Sequence, residues 1–539
     1  MDRKDGLLAL AALAVLIVFF TQEQRIAGAS GLPLDDGWIH LHFARNLAEG
    51  AGFSYNPGHP VAGSTAPLWT LLLATGFAVA GPALWVVKSL GVLLTLATAL
   101  VTRRLALALS RPPHPAPLEC PSPFLLSPPG RGRVRGGEDK GEGAEDRAEG
   151  VGLLAGLAVL GTGGLAWGSL SGMEVPLAAF LVTAALWAHV GAREWAVAIL
   201  MGLAILARPE ALLLVPFLLF SRPLTLGRAA RLLGVVALLL APAVAFSLVT
   251  VGAPVPATAA AKVEGGLLGL LLGAREPWML TLGVRPWRFL VDWVRFLWTQ
   301  HPLLPFLIPV GLLWLARPGR AVLVPALVLV AHPLGMALLA PYRGPSFQEG
   351  RYSAHLVPLA VVVAIVGLSR LLSEHRRQWV IAGWLCLALV SLWPGSLRYA
   401  WAVQNINAMQ VHLGEWVDRN LPANARLALN DVGAIAFISR REVVDLMGLV
   451  TPEILPYRRA GERGVLKYLE QVCPDYLIIF PAWFPRLAAL SDRFSPVYRV
   501  RLAHNTVAGA DEMVVFETSW NRWGRSPAPC PQIRASGIE

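Results

Sequence analysis

Two adjacent carboxylates, Asp35 and Asp36, are the residues of this sequence best suited to chemistry. They follow an apolar stretch of membrane length and open a segment, residues 34–50, whose apolar side chains recur at roughly helical spacing. Acidic pairs are costly to hold at the edge of a membrane unless something uses them. They could act as a general base or bind a metal ion. The pair therefore indicates an active site at the outer face of a membrane enzyme, although it could also merely cap the helix that follows.

Further polar side chains lie near the ends of other predicted spans. Residues 169–174 form a short turn between two spans, residues 208–210 interrupt another, and residues 348–352 precede a later one. Arginine and lysine in such places could hold a phosphate group, and a carboxylate could act as an acid, a base or a metal ligand. The candidates beyond the acidic pair are His40, Lys88, Glu174, Arg208, Lys262, Arg351 and Tyr352.

Each candidate also has a purely structural interpretation. Glu174 could face the dipole of the helix that it precedes, and Arg208 could form an ion pair across a broken helix. Arg351 and Tyr352 could be an ordinary aromatic-basic anchor at the membrane interface. The combination of two acidic outer segments with a late outer arginine nevertheless favours a convergent site.

The composition is that of a multi-span membrane protein. The chain has 539 residues, of which 55% are hydrophobic and 15% charged, with a mean hydropathy of +0.54, whereas a soluble domain carries about 25% charged residues. The net charge of +11 is explained by arginine and lysine in cytoplasmic loops, and not by nucleic-acid binding. Residues 1–20 resemble a signal peptide without a clear cleavage site, which favours an uncleaved first helix with a cytoplasmic N-terminus.

The apolar pattern predicts a mainly α fold, a polytopic helical bundle of about 11 to 13 spans in residues 1–394. Residues 34–66 are expected to form the first outer loop. Residues 111–150 are rich in proline, glycine and charged residues, so we expect a disordered cytoplasmic insert there.

Residues 395–539 have a different character, with more charge and short β-like runs at 426–429, 476–480 and 513–516. An odd number of spans places this region outside as a small extracytoplasmic α/β domain. It contains no glycine-rich nucleotide loop. Cys473 and Cys530 could form a disulfide there.

This arrangement resembles the GT-C superfamily of membrane glycosyltransferases, which take sugars from polyprenyl-phosphate carriers. Asp35-Asp36 matches the acidic motif of their first outer loop and Glu174 their second. Within the superfamily, the motif pattern is most similar to the bacterial group that contains the mycobacterial terminal arabinofuranosyltransferase. The matching segments are 44–50, 52–53, 55–58, 67–69, 171–174, 208–210, 350–352 and 444–449. Gly37 and Ala66 depart from that group's pattern, so we expect different contacts with the acceptor.

The resemblance implies sugar transfer to an envelope glycan, lipid or protein at the outer face of the bacterial cytoplasmic membrane. Asp35 or Asp36 would take the proton of the acceptor hydroxyl, with Asp35 preferred because GT-C catalytic aspartates tend to stand at the helix exit. Glu174 would orient the acceptor or a divalent cation, with His40 and Lys262 nearby. The donor phosphate would be held by Arg351, Tyr352, Arg208 and Lys88.

Two other functions fit the same outer charges. A transporter or flippase of lipid-linked sugars would have similar spans, but such proteins often show internal repeats and a site near the middle of the membrane. The sequence shows no repeat, and its candidate residues gather at one face. A non-catalytic envelope scaffold would act through the C-terminal domain. Sugar transfer from a polyprenyl-phosphate donor is the property that separates the enzyme from both.

Overall fold

The protein is a bundle of helices with one small sheet near its C-terminus. A computed structural model describes residues 2–110, 138–262, 265–271, 276–316, 319–339 and 341–522. The first half of the bundle contains α1 (Arg3–Ala27), α2 (Asp35–Ala48), α3 (Pro67–Ala80), α4 (Leu84–Ser110), α5 (Glu138–Leu160), α6 (Gly163–Leu170), α7 (Val175–Val190), α8 (Glu194–Ala207), α9 (Val215–Phe220) and α10 (Leu226–Val251).

The second half of the bundle runs into the C-terminal region. It contains α11 (Ala257–Lys262), α12 (Gly266–Leu271), α13 (Arg285–Gln300), α14 (Leu304–Leu315), α15 (Arg320–Ala326), α16 (Val328–Leu339), α17 (Phe347–Gly350), α18 (Val357–Leu371), α19 (Glu374–Ile406) and α20 (His412–Asn420). Four short helices belong to the C-terminal region: α21 (Ala434–Ser439), α22 (Leu455–Arg458), α23 (Glu462–Val472) and α24 (Pro485–Ala488).

The apolar helices are those of a multi-pass membrane protein. In the described part of the chain, five helices are long and apolar enough to cross a membrane, or seven if two bent pairs each count as one span. The bent pairs join α5 to α6 at 58° and the 280–300 helix to α14 at 103°. Five shorter apolar helices accompany them. In the described part of the chain, the lower expected number of 11 spans therefore requires four of these five shorter helices to cross as well.

Three details differ from the sequence-based expectations. Helix α5 begins at Glu138, although we expected disorder as far as residue 150. Glutamate, alanine, lysine and arginine favour helix, and they extend the apolar helix backwards from Val151 despite the glycines among them. Helix α19 continues through Pro394 to Ile406, so the expected domain boundary falls inside a helix. Residues 111–137 of the insert, and Cys530, the candidate disulfide partner of Cys473, lie outside the described residues.

The C-terminal sheet has five strands in the order β2-β1-β3-β5-β4. The strands are β1 (Arg426–Leu429), β2 (Glu442–Asp445), β3 (Tyr476–Ile479), β4 (Phe494–Arg501) and β5 (Glu512–Thr518). β1 lies parallel to β2 and β3, whereas β5 lies antiparallel to β3 and β4. Three of these strands coincide with the predicted β-like runs, so the mixed character of this region is confirmed.

The sheet packs on the segment that follows the acidic pair. Ile39, Phe43 and Tyr55 share a buried apolar cluster with Leu427 and Ile478 of the inner sheet face. The opposite sheet face is covered by a second cluster that includes α23. The first cluster fixes α2 against the C-terminal domain, while most helices of the bundle share a separate large core.

Asn56 adds a polar link between the two regions. Its side chain donates to the Val443 carbonyl at 2.8 Å and accepts from the Val443 amide at 2.9 Å, so it continues the sheet at its β2 edge. Loss of both bonds would leave the partly buried amide and carbonyl of Val443 without these partners.

We therefore expect Asn56→Ala to lower the stability of the protein by about 1–3 kcal/mol, seen as a lower midpoint of thermal unfolding in detergent. Asn420→Ala is the control, because the Asn420 amide bonds only to Trp416 of its own helix and should leave the midpoint nearly unchanged. Equal midpoints for the two variants would show that Asn56 does not hold the domains together.

Candidate active site

Asp35 and Asp36 stand in the first turn of α2, but their side chains point to different partners. The Asp35 carboxylate is 8% exposed and accepts from the Gly433 amide at 2.7 Å and the Ala434 amide at 2.8 Å. Gly433 allows this contact, because a Cβ atom there would lie 2.1 Å from the Asp35 carbonyl oxygen. Asp35 therefore ties α2 to the first residues of α21 in the C-terminal domain.

Asp36 faces a group of cations. Its carboxylate Oδ2 lies 2.7 Å from Arg351 Nη2 and 3.7 Å from Lys262 Nζ. The Asp36 side chain is 34% exposed, whereas that of Arg351 is 3% exposed. The more accessible carboxylate of the pair is therefore the one that meets the positive charge.

Two arginines contact the Tyr352 ring. Its hydroxyl accepts from Arg351 Nη2 at 2.8 Å, and the guanidinium carbons of Arg351 and Arg208 lie 4.8 and 4.7 Å from the ring centre. Arg351 Nε and Nη1 are buried and find no hydrogen-bond partner among the described residues. The cluster thus holds two donor groups that an anionic ligand could use.

Glu174 is the ionic partner of Arg208. The two form a buried ion pair, and Glu174 Oε2 lies 3.4 Å from His40 Nε2. His40 Nδ1 in turn lies 3.3 Å from the Ser64 hydroxyl. A Cβ atom at Gly37 would lie 2.7 Å from the Ser171 carbonyl oxygen, so the start of α2 packs directly against the turn that carries Glu174.

Electrostatics separates the two aspartates. Burial would raise the pKa of the Asp36 carboxyl, but the charges of Arg351 and Lys262 outweigh burial and hold this pKa well below its usual range. Burial raises the pKa of Asp35 to about 6, although the amides of Ala434 and Gly433 oppose that rise. The site therefore contains one carboxylate that stays ionised and one that titrates near neutral pH.

The structure brings most of the predicted site residues together. Asp36, Lys262, Arg351, Tyr352 and Arg208 form a continuous chain of contacts, which we call the cationic cluster. It continues to Glu174 and His40 through Arg208.

Lys88 belongs to a different polar group. Its ammonium lies 2.5 Å from Glu23 and 2.8 Å from the Ser30 hydroxyl, and it contacts no residue of the cationic cluster in the described part of the chain. In the same part, no three histidine, cysteine, aspartate or glutamate side chains lie close enough together to hold a metal ion. Binding of the donor phosphate by Lys88 stays a prediction, and so does the binding of a divalent cation.

Several residues of this region were missed by reasoning from the sequence. Asp431 follows β1, accepts from Gln410 at 2.8 Å, and interacts with the charges of Asp35 and Asp36. Its position just past the carboxyl end of a parallel strand was the available signal, since such strand ends commonly carry functional side chains. Tyr342, whose ring centre lies 5.6 Å from the Lys262 ammonium, gave no comparable signal.

Solved structures of two membrane proteins share this fold with TM-scores above 0.5, and a third shows a weaker likeness. ArnT from Cupriavidus metallidurans bound to undecaprenyl phosphate is 13% identical, with a TM-score of 0.55 over 95% of this chain and 98% of that one. The apo oligosaccharyltransferase of Archaeoglobus fulgidus is 11% identical, with a TM-score of 0.52 over 96% of this chain and 75% of that one. The mycobacterial arabinofuranosyltransferase AftD is 14% identical, with a TM-score of 0.42 over 96% of this chain and 40% of that one.

The likenesses to ArnT and to the oligosaccharyltransferase, which both have TM-scores above 0.5, confirm the predicted GT-C-like fold of a helical bundle with a small C-terminal sheet. The predicted closeness to the arabinofuranosyltransferase group stays a prediction. A domain family of unknown function, DUF8728, matches residues 402–523, which include the sheet and the amides that hold Asp35. A comparison with curated protein sequences gives no significant match.

The raised pKa of Asp35 predicts a pH-dependent stability. An aspartate has a pKa of 3.8 when unperturbed and Asp35 one of about 6 in the folded protein, so the folded state binds more protons between these values. Stability should therefore fall as the pH rises from about 4 to about 6, by about 2 kcal/mol for this group. Asp35→Asn should make the decline of the thermal midpoint shallower without abolishing it, because burial also raises the pKa of Asp445 to about 6. An unchanged decline would contradict this account.

Proposed function

We propose that this protein is a membrane glycosyltransferase that moves a sugar from a polyprenyl-phosphate carrier to an acceptor in the cell envelope. The observation that carries the proposal is the cationic cluster: on a GT-C fold, a partly exposed Asp36 carboxylate lies 2.7 Å from a buried arginine. A base and an anion-binding group therefore stand side by side, as a transfer from a phosphate leaving group requires.

The first part of the reaction falls to Asp36. The acceptor hydroxyl attacks the anomeric carbon of the donor sugar, and Asp36 takes the proton of that hydroxyl as the new glycosidic bond forms. Asp36 is favoured over Asp35, because both Asp35 oxygens accept backbone amides and its side chain is buried. This assignment revises the sequence-based preference for Asp35.

The second part falls to the cations. As the bond from the anomeric carbon to the phosphate oxygen breaks, the polyprenyl phosphate leaves with an additional negative charge. Arg351 Nε and Nη1 have no hydrogen-bond partner among the described residues and can bind this charge, and Lys262 lies next to the same carboxylate. When the phosphate also binds Arg351 and Lys262, its negative charge offsets their effect on Asp36, and the pKa of Asp36 rises. Donor binding therefore makes Asp36 a stronger base.

The buried pair of Glu174 and Arg208 fixes the far side of the site. Arg208 and Arg351 hold the Tyr352 ring between them, which orients the tyrosine hydroxyl toward the leaving group. Glu174 and His40 are proposed to face the acceptor or a cation. Lys88 is proposed to meet the donor lipid only if its bond to Glu23 opens.

The proposed setting is the outer face of the bacterial cytoplasmic membrane. The N-terminus would be cytoplasmic and the C-terminal domain extracytoplasmic, where it covers the site and selects a glycan, lipid or protein acceptor. The structure of ArnT with undecaprenyl phosphate supports a lipid-linked donor for this fold. The transferred sugar is a hexose or a pentose.

Loss of the base gives the first functional prediction. Asp36→Asn keeps the size of the side chain but cannot take a proton, so transfer from a polyprenyl-phosphate sugar to glycan acceptors should fall by about 10²–10⁴-fold. Asp492→Asn is the control, because this carboxylate is 75% exposed beside Arg493. Normal transfer by the Asp36 variant would contradict the assignment of Asp36 as the base. A wild-type protein that moves intact lipid-linked sugar across vesicles without transferring the sugar would support a flippase instead.

Loss of the anion-binding group should act on the donor. Arg351→Gln removes the charge and the unpaired donors, so the Kd for undecaprenyl phosphate should rise at least about tenfold, and Arg351→Lys should recover only part of the loss. Arg499→Gln, at a residue whose side chain is 65% exposed, should bind like the wild type. Binding that survives in Arg351→Gln would assign the phosphate to another group.

A further inference from the structure

The backbone just before Arg351 is strained. Gln348 and Glu349 have φ values of 48° and 58°, and Gly350 follows at 77°. A non-glycine residue in this left-handed region costs about 1–2 kcal/mol. Two such residues in succession persist only where their surroundings impose the conformation, and such strain concentrates at functional sites.

Side chains hold the strained segment at two places. At its start, Asp292 of α13 accepts from the Ser346 amide at 2.8 Å and from the Ser346 hydroxyl at 2.6 Å. Within it, the Glu349 carboxylate is gripped by Arg398 of α19 through two bonds of 2.6 and 2.9 Å. These two attachments come from helices that are distant in sequence.

The segment has little room to move. A Cβ atom at Gly350 would lie 2.0 Å from the Phe296 ring, and one at Gly164 would lie 2.7 Å from the Glu349 carbonyl oxygen. The backbone therefore lies directly against α13 and α6. The next residue is Arg351, so the direction of its side chain depends on the conformation of residues 348–350.

The pair of Arg398 and Glu349 is poorly explained as a contribution to overall stability. Arg398 is 51% exposed, and ion pairs at such positions contribute about 0–1 kcal/mol. The pair instead acts on Glu349, one of the two strained residues, and its two-pronged geometry fixes the direction of that side chain. Nothing in the proposed chemistry uses either residue directly.

We propose that Arg398 and Glu349 form a positioning pair that imposes the left-handed backbone before Arg351 and thereby aims the Arg351 guanidinium at the leaving phosphate. The claim that Arg351 binds the leaving phosphate rests on the proposed function. The claim that the pair controls the backbone of residues 348–350 does not. Without the pair, residues 348–350 relax toward ordinary backbone angles and Arg351 turns away from Asp36.

Arg398→Gln tests the pair with two readouts on the full-length protein in detergent. Amide hydrogen exchange of residues 344–353 should become faster, and the Kd for undecaprenyl phosphate should rise about tenfold, while the thermal midpoint stays within about 2 °C of wild type. Arg419→Gln is the matched control: Arg419 also pairs with a glutamate at 2.9 Å and is 68% exposed, but it lies in α20. It should change neither readout.

Two rescue variants separate positioning from a general structural effect. The exchange of charges in Arg398→Glu/Glu349→Arg should recover part of both losses. Gln348→Gly added to Arg398→Gln should do so as well, by about threefold in Kd, because glycine adopts a positive φ without strain. A disruption of packing would be rescued by neither.

The outcomes distinguish the two proposals. If the wild type binds no undecaprenyl phosphate but Arg398→Gln still speeds exchange in residues 344–353, the proposed donor is wrong and the positioning pair stands. If the wild type binds and Arg398→Gln leaves both exchange and Kd unchanged, the positioning pair is overturned. Faster exchange with an unchanged Kd would overturn the claim that the segment aims Arg351.

Discussion

The rest of the site depends on one constraint, the cost of a full positive charge on Arg351 whose side chain is 3% exposed. A buried cation needs a nearby anion and partners for its N–H groups. Asp36 supplies the anion, and Tyr352 supplies an acceptor and an aromatic face. Two N–H groups are still without partners in the described structure. Completing the solvation of Arg351 therefore favours a further anion at the same place, which links a stability requirement to ligand binding.

The same constraint explains why two adjacent carboxylates behave differently. Successive residues on a helix point about 100° apart, so Asp35 and Asp36 cannot serve the same partner. Asp36 turns to the cations, while Asp35 meets the amides of Gly433 and Ala434. A pair that reads in sequence as one acidic motif is, in structure, one group facing the site and one group facing the C-terminal domain. Since both stand in one helical turn, a shift of that domain would move Asp36 relative to Arg351.

Features written in local sequence could be predicted, and features that depend on distant pairing could not. Membrane-length helices and β1, β3 and β5 follow from runs of apolar residues, because burial imposes that pattern on each segment separately. The grouping of Asp36 with Arg351 came from the resemblance and from the shared face, not from spacing, as 315 residues separate them. Lys88 shows the limit of this reasoning: it lies in a suitable helix, but its side chain meets the buried carboxylate of Glu23, and no local pattern records which neighbour a lysine faces. The pairing of Glu349 with Arg398 could not be predicted either. The sequence shows only Gly350, a residue that tolerates the left-handed backbone of this segment.

The C-terminal domain is best understood as a part of the site and not as an appendage. It supplies the two backbone amides that donate to Asp35. It also supplies Asp431, whose charge interacts with those of Asp35 and Asp36. The Tyr55 hydroxyl donates to the Val432 carbonyl and Thr258 donates to the Leu449 carbonyl at 3.1 Å, so the polypeptide on both sides of the cationic cluster is bonded to this domain. Lys262 lies in the same short helix as Thr258. A displacement of the domain would therefore disturb Asp36 and Lys262 together, and with them the charges that surround Arg351.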